Sequence, residues 1–113
     1  MELRADHDVV GTLPVVALSG SVDLATVPQL STALFRLLAE HTGGRVAVDL
    51  DGVDVLDDTG LGVLLGAAGR ARSAGGDVVI VIADERLRAR FATTGFDCAV
   101  HVVDSLSAVG TID

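Results

Sequence analysis

The sequence predicts one α/β domain over residues 1–113, built on a mostly parallel sheet of four to five strands with α-helices. The main observation is that short apolar runs alternate along the chain with segments whose apolar residues recur at helical spacing. The length of 113 residues also corresponds to a single domain. Because 50% of the residues are hydrophobic, a chain of this size can bury a core without disulfides.

The first half of the chain is predicted to hold a weak strand at 3–10, a stronger strand at 14–20, a helix, and a central strand at 45–50. The helix begins at Thr26, a residue suited to the N-cap position, and ends before a Gly-Gly pair. The residues that recur on one face of this helix are Leu30, Leu34, Leu37, Leu38 and His41. The strand at 45–50 is apolar on both faces, which indicates a central strand covered by helices.

The second half continues the alternation of helices and strands. The predicted elements are a loop at 51–57, a helix at 58–73, a strand at 77–83, a helix capped by Asp84 that runs to 94, a strand at 99–103 and a short final helix after Asp104 or Ser105. In the helix after Asp84, Leu87 and Phe91 are expected to face the core. Arg86 and Arg90, together with Arg88, are expected to form a solvated face.

Composition excludes several functional classes. The net charge is −8, from sixteen acidic and eight basic residues, and this field repels a phosphate backbone, so no nucleic-acid partner is expected. No apolar run approaches the 18 residues of a membrane span, and the first residues do not resemble a signal peptide, which predicts a cytoplasmic protein with no membrane association. Cys98 has no second cysteine to pair with. The histidines, His7, His41 and His101, share no motif with it, so neither a metal nor a cofactor is expected.

The most distinctive segment is residues 56–66, where the predicted loop meets the second helix. Free backbone N–H groups and the positive end of the helix dipole stabilise a carboxylate or a phosphate at such a position. The plainer interpretation is that Asp57, Asp58 and Thr59 are capping residues and have no other role. Both interpretations stay open on the residues alone.

The glycines of this helix are unusual, because a glycine inside a helix costs roughly 0.5–1 kcal/mol relative to alanine. Gly60, Gly62, Gly66 and Gly69 all fall within ten residues. Their presence indicates that another backbone approaches closely, which belongs either to the protein's own sheet or to a partner. The pattern lacks the third glycine of a dinucleotide fingerprint and the lysine of a phosphate-binding loop.

Another motif lies just upstream, at Asp49 and Asp51. The segment Val46–Val53 resembles the first motif of haloacid dehalogenase-type phosphohydrolases, in which the two aspartates imply a nucleophile and a general acid/base acting with Mg²⁺. The later lysine of that family is absent. The family also needs a downstream acidic pair for the metal, and the only adjacent acidic pairs here are Asp57-Asp58, immediately after the motif, and Asp84-Glu85. A receiver domain would also need a lysine that this chain lacks. The alternative interpretation is that both aspartates are solvated residues at a strand end.

Four segments, in order, are similar to one protein family. They are Gly20-Ser-Val-Asp23, Val46–Asp57, Asp57-Asp-Thr-Gly-Leu-Gly-Val-Leu64 and Thr94-Gly-Phe96. On these residues the chain resembles the STAS family, and within it the bacterial anti-sigma factor antagonists of the SpoIIAA/RsbV type. The resemblance extends over nearly the whole chain.

The resemblance implies a regulatory protein without enzymatic activity. Such antagonists bind a small anti-sigma factor, which is a GHKL-type serine/threonine kinase, and so free a sigma factor for transcription. The kinase phosphorylates the antagonist, the phosphorylated form releases the kinase, and a phosphatase restores the binding form. The residues that the resemblance implies for partner binding are Asp23, Thr26, Asp57, Asp58, Thr59, Gly60, Leu61, Gly62 and Gly66.

This sequence departs from the family at the acceptor position. The family's phosphorylated serine falls on Asp58, whose carboxylate a hydroxyl kinase cannot phosphorylate. Three hypotheses follow: Asp58 mimics a partly phosphorylated state, Thr59 is the acceptor instead, or the domain meets no kinase and serves as a scaffold or ligand-sensing module. The first two are favoured together, because the sequence from Gly60 to Gly66 keeps the family pattern.

Overall fold

The computed structural model describes residues 2–94 and 100–111, and within them it shows one sheet with helices on both faces. In chain order the elements are β1 (Leu3–Val10), β2 (Leu13–Val22), α1 (Val27–Glu40), β3 (Arg45–Leu56), α2 (Asp58–Ser73), β4 (Asp77–Val81), α3 (Glu85–Thr94), β5 (His101–Val103) and a 3₁₀ helix (Leu106–Thr111). The predicted α/β class with three main helices is confirmed.

The five strands lie in the order β1-β2-β3-β4-β5. β1 is antiparallel to β2, whereas β2 to β5 run parallel to one another, so the expected mostly parallel sheet is confirmed. Val10 pairs with Leu13, which leaves a two-residue turn between β1 and β2. Gly11 has a φ of +65° in that turn, a conformation that glycine adopts without steric cost.

The two faces of the sheet carry cores of different size, because successive side chains of a strand point to opposite faces. Val46 and Val48 of β3 and Ile80 of β4 belong to the larger core, which α1, α2 and α3 cover. Ala47 and Val79 belong to a smaller core on the opposite face, where residues of the 3₁₀ helix pack. β3 and β4 are therefore buried on both sides, as their apolar runs predict.

The predicted loop at 51–57 is wrong, because β3 continues to Leu56. Its second half pairs with β2 through two register shifts, and Val53 and Leu56 are buried in the larger core. Gly52 permits this pairing, since a Cβ at that position would lie 2.8 Å from the Ser19 Cβ and 2.9 Å from the Leu18 carbonyl oxygen. Aspartate and glycine are uncommon in strands, so the composition of this segment does not predict a strand.

Other boundaries differ by a few residues. β2 extends to Val22, and β4 ends at Val81, two residues before the predicted end. Gly95, Phe96 and Cys98, with the last-strand residue Ala99, lie outside the described residues. No helix in the described part of the chain is both long enough and apolar enough to span a membrane.

Candidate functional site

The candidate site lies where β2 and β3 end, side by side, at the carboxyl edge of the sheet. Val22 pairs with Leu56, and the backbone N–H of Asp57 donates to the carbonyl of Val22 at 3.0 Å. Because the strands are parallel, the turns that follow them lie at the same edge. We call the residues of these turns and of the first turn of α2 the signature surface: Asp23, Leu24, Asp57, Asp58 and Thr59.

The turn after β2 is held by hydrogen bonds among its own residues. The Asp23 carboxylate accepts from the backbone N–H of Ala25 at 3.0 Å and of Thr26 at 3.1 Å. In return, the Thr26 hydroxyl accepts from the N–H of Asp23 at 3.0 Å and donates to the Ser21 carbonyl at 2.8 Å. Thr26 occupies the N-cap position of α1, as predicted, but its buried hydroxyl holds the turn and does not cap the helix.

The turn after β3 leads directly into α2. Asp57 is the N-cap of this helix, and its carboxylate accepts from the N–H of Gly60 at 3.0 Å. The Asp57 carbonyl then accepts the first helical bond, from Leu61, at 3.1 Å. The capping role predicted for Asp57 is confirmed, and it fixes where the first turn of α2 begins.

Asp58 carries its charge into solvent. Its side chain is 91% exposed, and the carboxylate lies 2.7 Å from an Nη2 atom of Arg90 on α3. Arg90 is half-buried, with 35% of its side chain exposed, and its paired guanidinium group is less solvated than expected. Arg86 is almost fully exposed, as expected, whereas Arg88 donates to the Ile82 carbonyl at 3.2 Å.

Thr59 follows Asp58 and is exposed. Two exposed apolar side chains lie on the same edge of the sheet: Leu24, which is 76% exposed in the turn after β2, and Val55, which is 46% exposed near the end of β3. The site therefore combines carboxylates, a hydroxyl group and unburied apolar surface. That combination suits contact with a protein, because protein interfaces surround an apolar centre with polar groups.

The predicted partner-binding residues separate by burial. Exposed residues are Asp58, Thr59, Gly62 and Gly66; partly buried residues are Asp23 and Asp57; buried residues are Thr26, Gly60 and Leu61. The buried residues can shape this edge of the sheet but cannot themselves contact a partner. A Cβ at Gly60 would overlap the Val22 side chain, so this glycine serves packing within the domain.

The remaining glycines of α2 have a different environment. Apart from the neighbouring backbone of α2 itself, no described atom lies within 4 Å of a Cβ built at Gly62, Gly66 or Gly69. The protein's own sheet therefore does not approach these three positions, and the approach of a partner's backbone there stays a prediction. At Gly60 the close neighbours are side chains of Val22 and Leu56.

The chain is similar to known proteins both in sequence and in fold. The model of the family described as STAS domain matches residues 3–109. The chain belongs to the STAS domain family. An anti-sigma-B factor antagonist of Staphylococcus epidermidis is 32% identical over 87 residues, which are 77% of this chain and 80% of that protein.

Solved structures share the fold of this STAS domain. An anti-sigma factor antagonist from Mycobacterium paratuberculosis superposes with a TM-score of 0.81 at 23% identity, over 97% of this chain and 92% of that one. SpoIIAA in its phosphorylated form, a Bacillus cell fate determinant, superposes with a TM-score of 0.68 at 15% identity, over 99% and 100% of the two chains. At these identities the likeness concerns the fold alone.

Three residues of this STAS domain's site were missed from sequence. Leu24 is a single large apolar residue in the turn after β2, and Val55 lies in the acidic second half of β3, so no local apolar pattern indicates that they are exposed together at this edge. Arg90 lies 32 positions from Asp58, so nothing local links the two residues. The spacing of Leu87 and Phe91 predicts which face of α3 is buried, but it does not predict which residue Arg90 contacts.

The upstream aspartates have structural partners. Asp49 accepts from the N–H of Asp51 at 2.9 Å, and Asp51 accepts from the N–H of Ala83 at 2.7 Å. Both residues lie within β3, so they are not turn residues at a strand end. Among residues 2–94 and 100–111, no three His, Cys, Asp or Glu side chains are grouped so that they could hold a metal ion.

Proposed function

We infer that this STAS domain is an anti-sigma factor antagonist, which binds an anti-sigma factor of the GHKL serine/threonine kinase type and thereby frees a sigma factor for transcription. The observation that carries the inference is the signature surface, where exposed Asp58 and Thr59 stand beside exposed Leu24. The name of the 32% identical relative supports the same role. The role is one of binding, with no reaction catalysed by the chain itself.

The signature surface fits a partner with an apolar pocket and basic residues around it. Leu24 and Val55 would enter the contact, since exposed apolar side chains gain most from burial. Asp23, Asp57 and Asp58 add carboxylates at the same edge of the sheet, of which that of Asp58 is the most exposed. Opposite charges on the partner would guide encounter and fix orientation more than they would add affinity.

Thr59 is the proposed phosphorylation site. The partner kinase would transfer the γ-phosphoryl group of ATP to the Thr59 hydroxyl oxygen. A new P–O bond forms there, the bond to the β-phosphate oxygen breaks, ADP leaves, and the hydroxyl proton passes to a base of the kinase. The phosphate adds about −1.5 to −2 charges, which are costly to desolvate in a packed interface, so the modified chain would dissociate. A phosphatase would then restore the binding form.

Asp58 would give this antagonist a standing negative charge at the family's acceptor position. A carboxylate carries one charge and two acceptor oxygens, compared with up to two charges and three oxygens for a phosphate. The proposal is that Asp58 weakens binding in part and that Thr59 completes the release. A scaffold or ligand-sensing role would apply if no kinase binds.

Binding is tested with purified proteins. Each GHKL-type anti-sigma factor encoded in the same genome is titrated with the chain by calorimetry. Leu24→Ser should weaken binding about tenfold or more, because buried apolar contacts at an interface centre commonly contribute that much. Phe35→Ser is the matched control, since Phe35 is equally apolar and exposed but lies on α1. Weakened binding by Phe35→Ser with no effect of Leu24→Ser would refute the assignment of the surface.

Phosphorylation is tested by incubating the bound kinase with ATP and analysing the peptide of residues 46–70 by mass spectrometry. Label is expected on Thr59, and Thr59→Val should remain unlabelled. Asp58→Ser should create a second labelled site if Asp58 stands in for the family's serine. If Asp58→Ser stays unmodified there while Thr59 is labelled, the stand-in role of Asp58 is wrong.

The phosphohydrolase alternative is tested separately. Hydrolysis of p-nitrophenyl phosphate with Mg²⁺, lost in Asp49→Asn, would overturn the binding role. No turnover is expected, because the carboxylates of Asp49 and Asp51 accept hydrogen bonds from the backbone N–H groups of Asp51 and Ala83.

A further inference from the structure

The side chain of Arg90 reaches the signature surface from a well-anchored helix. α3 buries Leu87 and Phe91 in the larger core. At its beginning, Asp84 accepts from the N–H of Arg86 at 2.8 Å. The backbone that carries Arg90 is therefore held by packing and capping, and its long side chain extends from this helix to Asp58.

The ion pair of Arg90 with Asp58 differs from other arginine pairs of the chain. Arg4, Arg36, Arg72 and Arg86 pair with carboxylates at most five positions away in the sequence. The Arg90 pair joins α3 to the first turn of α2 across 32 positions, at 2.7 Å. It brings a positive charge to the turn that holds Asp58 and Thr59.

A phosphate on Thr59 would compete for this cation. Asp58 and Thr59 are consecutive residues of α2, with Cα atoms about 3.8 Å apart, and their side chains point in different directions around the helix axis. The long Arg90 side chain would therefore have to turn away from Asp58 to reach a phosphate on Thr59. Phosphate carries more charge than carboxylate and matches the planar fork of a guanidinium group. Asp58 is 91% exposed, and water would solvate its carboxylate once the arginine had left.

We propose that Arg90 is the internal counter-charge of the switch: it pairs with Asp58 in the unmodified chain and moves to the phosphate when Thr59 is phosphorylated. This proposal rests on the proposed function only in taking Thr59 as the modified residue. In the unmodified chain, Arg90 compensates the charge of Asp58, so Asp58 is not equivalent to a phosphate. After modification, Asp58 loses its partner and its carboxylate becomes an uncompensated charge, while the phosphate makes the net charge of the signature surface more negative by about 1.5 to 2 charges.

The test needs neither the kinase nor the anti-sigma factor. Phosphothreonine is installed at position 59 by an expanded genetic code, and the second pKa of its phosphate is measured by phosphorus-31 NMR. A neighbouring cation stabilises the dianion, so the phosphate pKa should be about 0.3–0.7 higher in Arg90→Gln than with Arg90 present. Arg86→Gln is the matched control, because it removes the same charge from the same helix, and it should leave the phosphate pKa unchanged.

A second measurement uses the unsubstituted chain. The nitrogen-15 signals of the Arg90 guanidinium should shift when Thr59 carries phosphate, and those of Arg86 should not. Equal phosphate pKa values with and without Arg90, or unshifted Arg90 signals, would overturn the proposal. Failure to bind any anti-sigma factor would refute the proposed function and leave these two results unaffected.

Discussion

The turn after β2 and the turn after β3 use similar residues in opposite ways. In the first, the side chains of Asp23 and Thr26 bond to the turn itself, and the Thr26 hydroxyl is buried. In the second, Asp57 caps α2, but Asp58 and Thr59 extend outward. The side chains of Asp23 and Thr26 therefore hold their own turn together, whereas those of Asp58 and Thr59 are exposed to other molecules.

The difference teaches that residue type does not identify the interacting groups at this edge of the sheet. Changes to the buried or capping residues should lower the free energy of unfolding. Changes to the exposed residues should alter binding while the fold stays nearly as stable. The following substitutions test that division, from the largest expected effect on stability to the smallest.

The free energy of unfolding should be most sensitive to substitution of Gly60, because this buried residue of the first turn of α2 lies against the side chains of Val22 and Leu56. In Gly60→Ala the new Cβ would overlap Val22 and lie 3.0 Å from the Leu56 Cδ1 atom, and both neighbours are buried. The expected loss is about 1–3 kcal/mol in the free energy of unfolding, measured by urea denaturation. Gly62→Ala is the control in open space and should instead stabilise by roughly 0.5–1 kcal/mol. Equal effects would show that packing at Gly60 does not limit the turn.

Thr26→Val tests the first turn. Valine keeps the shape of threonine but removes the hydroxyl, which leaves the N–H of Asp23 and the carbonyl of Ser21 without that partner. A loss of about 1–3 kcal/mol in the free energy of unfolding is expected, because the groups lie in or next to the core. Thr32→Val removes an exposed hydroxyl on α1 and should change stability little. A stable Thr26→Val variant would mean that the turn does not depend on this hydroxyl.

Asp57→Ala tests the cap of α2. The N–H of Gly60 would lose its acceptor, at a cost of about 1 kcal/mol in thermal or urea unfolding. Asp54→Ala removes an exposed carboxylate of β3 and serves as the control for the change in net charge. If both variants lose the same stability, the effect comes from charge and not from capping.

Asp58→Asn should have the smallest effect on folding. It removes an exposed ion pair and a charge near the helix N-terminus, which together contribute less than about 1 kcal/mol. Affinity for an anti-sigma factor should nevertheless change, and calorimetry would measure it. A variant that unfolds readily but binds normally would reverse the division between the two turns.

Local patterns predict most of this fold. The apolar run of β4 and the spacing of leucines in α1 correspond directly to buried faces. The second half of β3 was missed because strand propensity is low for aspartate and glycine, and the segment is stabilised by pairing with β2 and by burial of Val53 and Leu56. Ser19 pairs with Gly52 and Val22 with Leu56, and pairing between residues so far apart in the sequence leaves no local signal.

The site was predictable to the extent that it depends on neighbours in sequence. The cap at Asp57 follows from a pattern of four residues. The role of Thr26 was harder to infer, because the same hydroxyl can cap a helix or close a turn, and burial decides between them. Arg90 depends on how α3 packs over the sheet, which no local pattern contains.

The hydrogen bond from the N–H of Ala83 to Asp51 has a mechanical consequence. Ala83 belongs to the segment between β4 and α3, so this hydrogen bond connects the segment that leads into α3 to β3. A signal from position 59 could then turn the arginine side chain without displacing its helix. Asp51, which resembles the general acid/base of a phosphohydrolase, would thus limit how far a local charge change propagates through the domain.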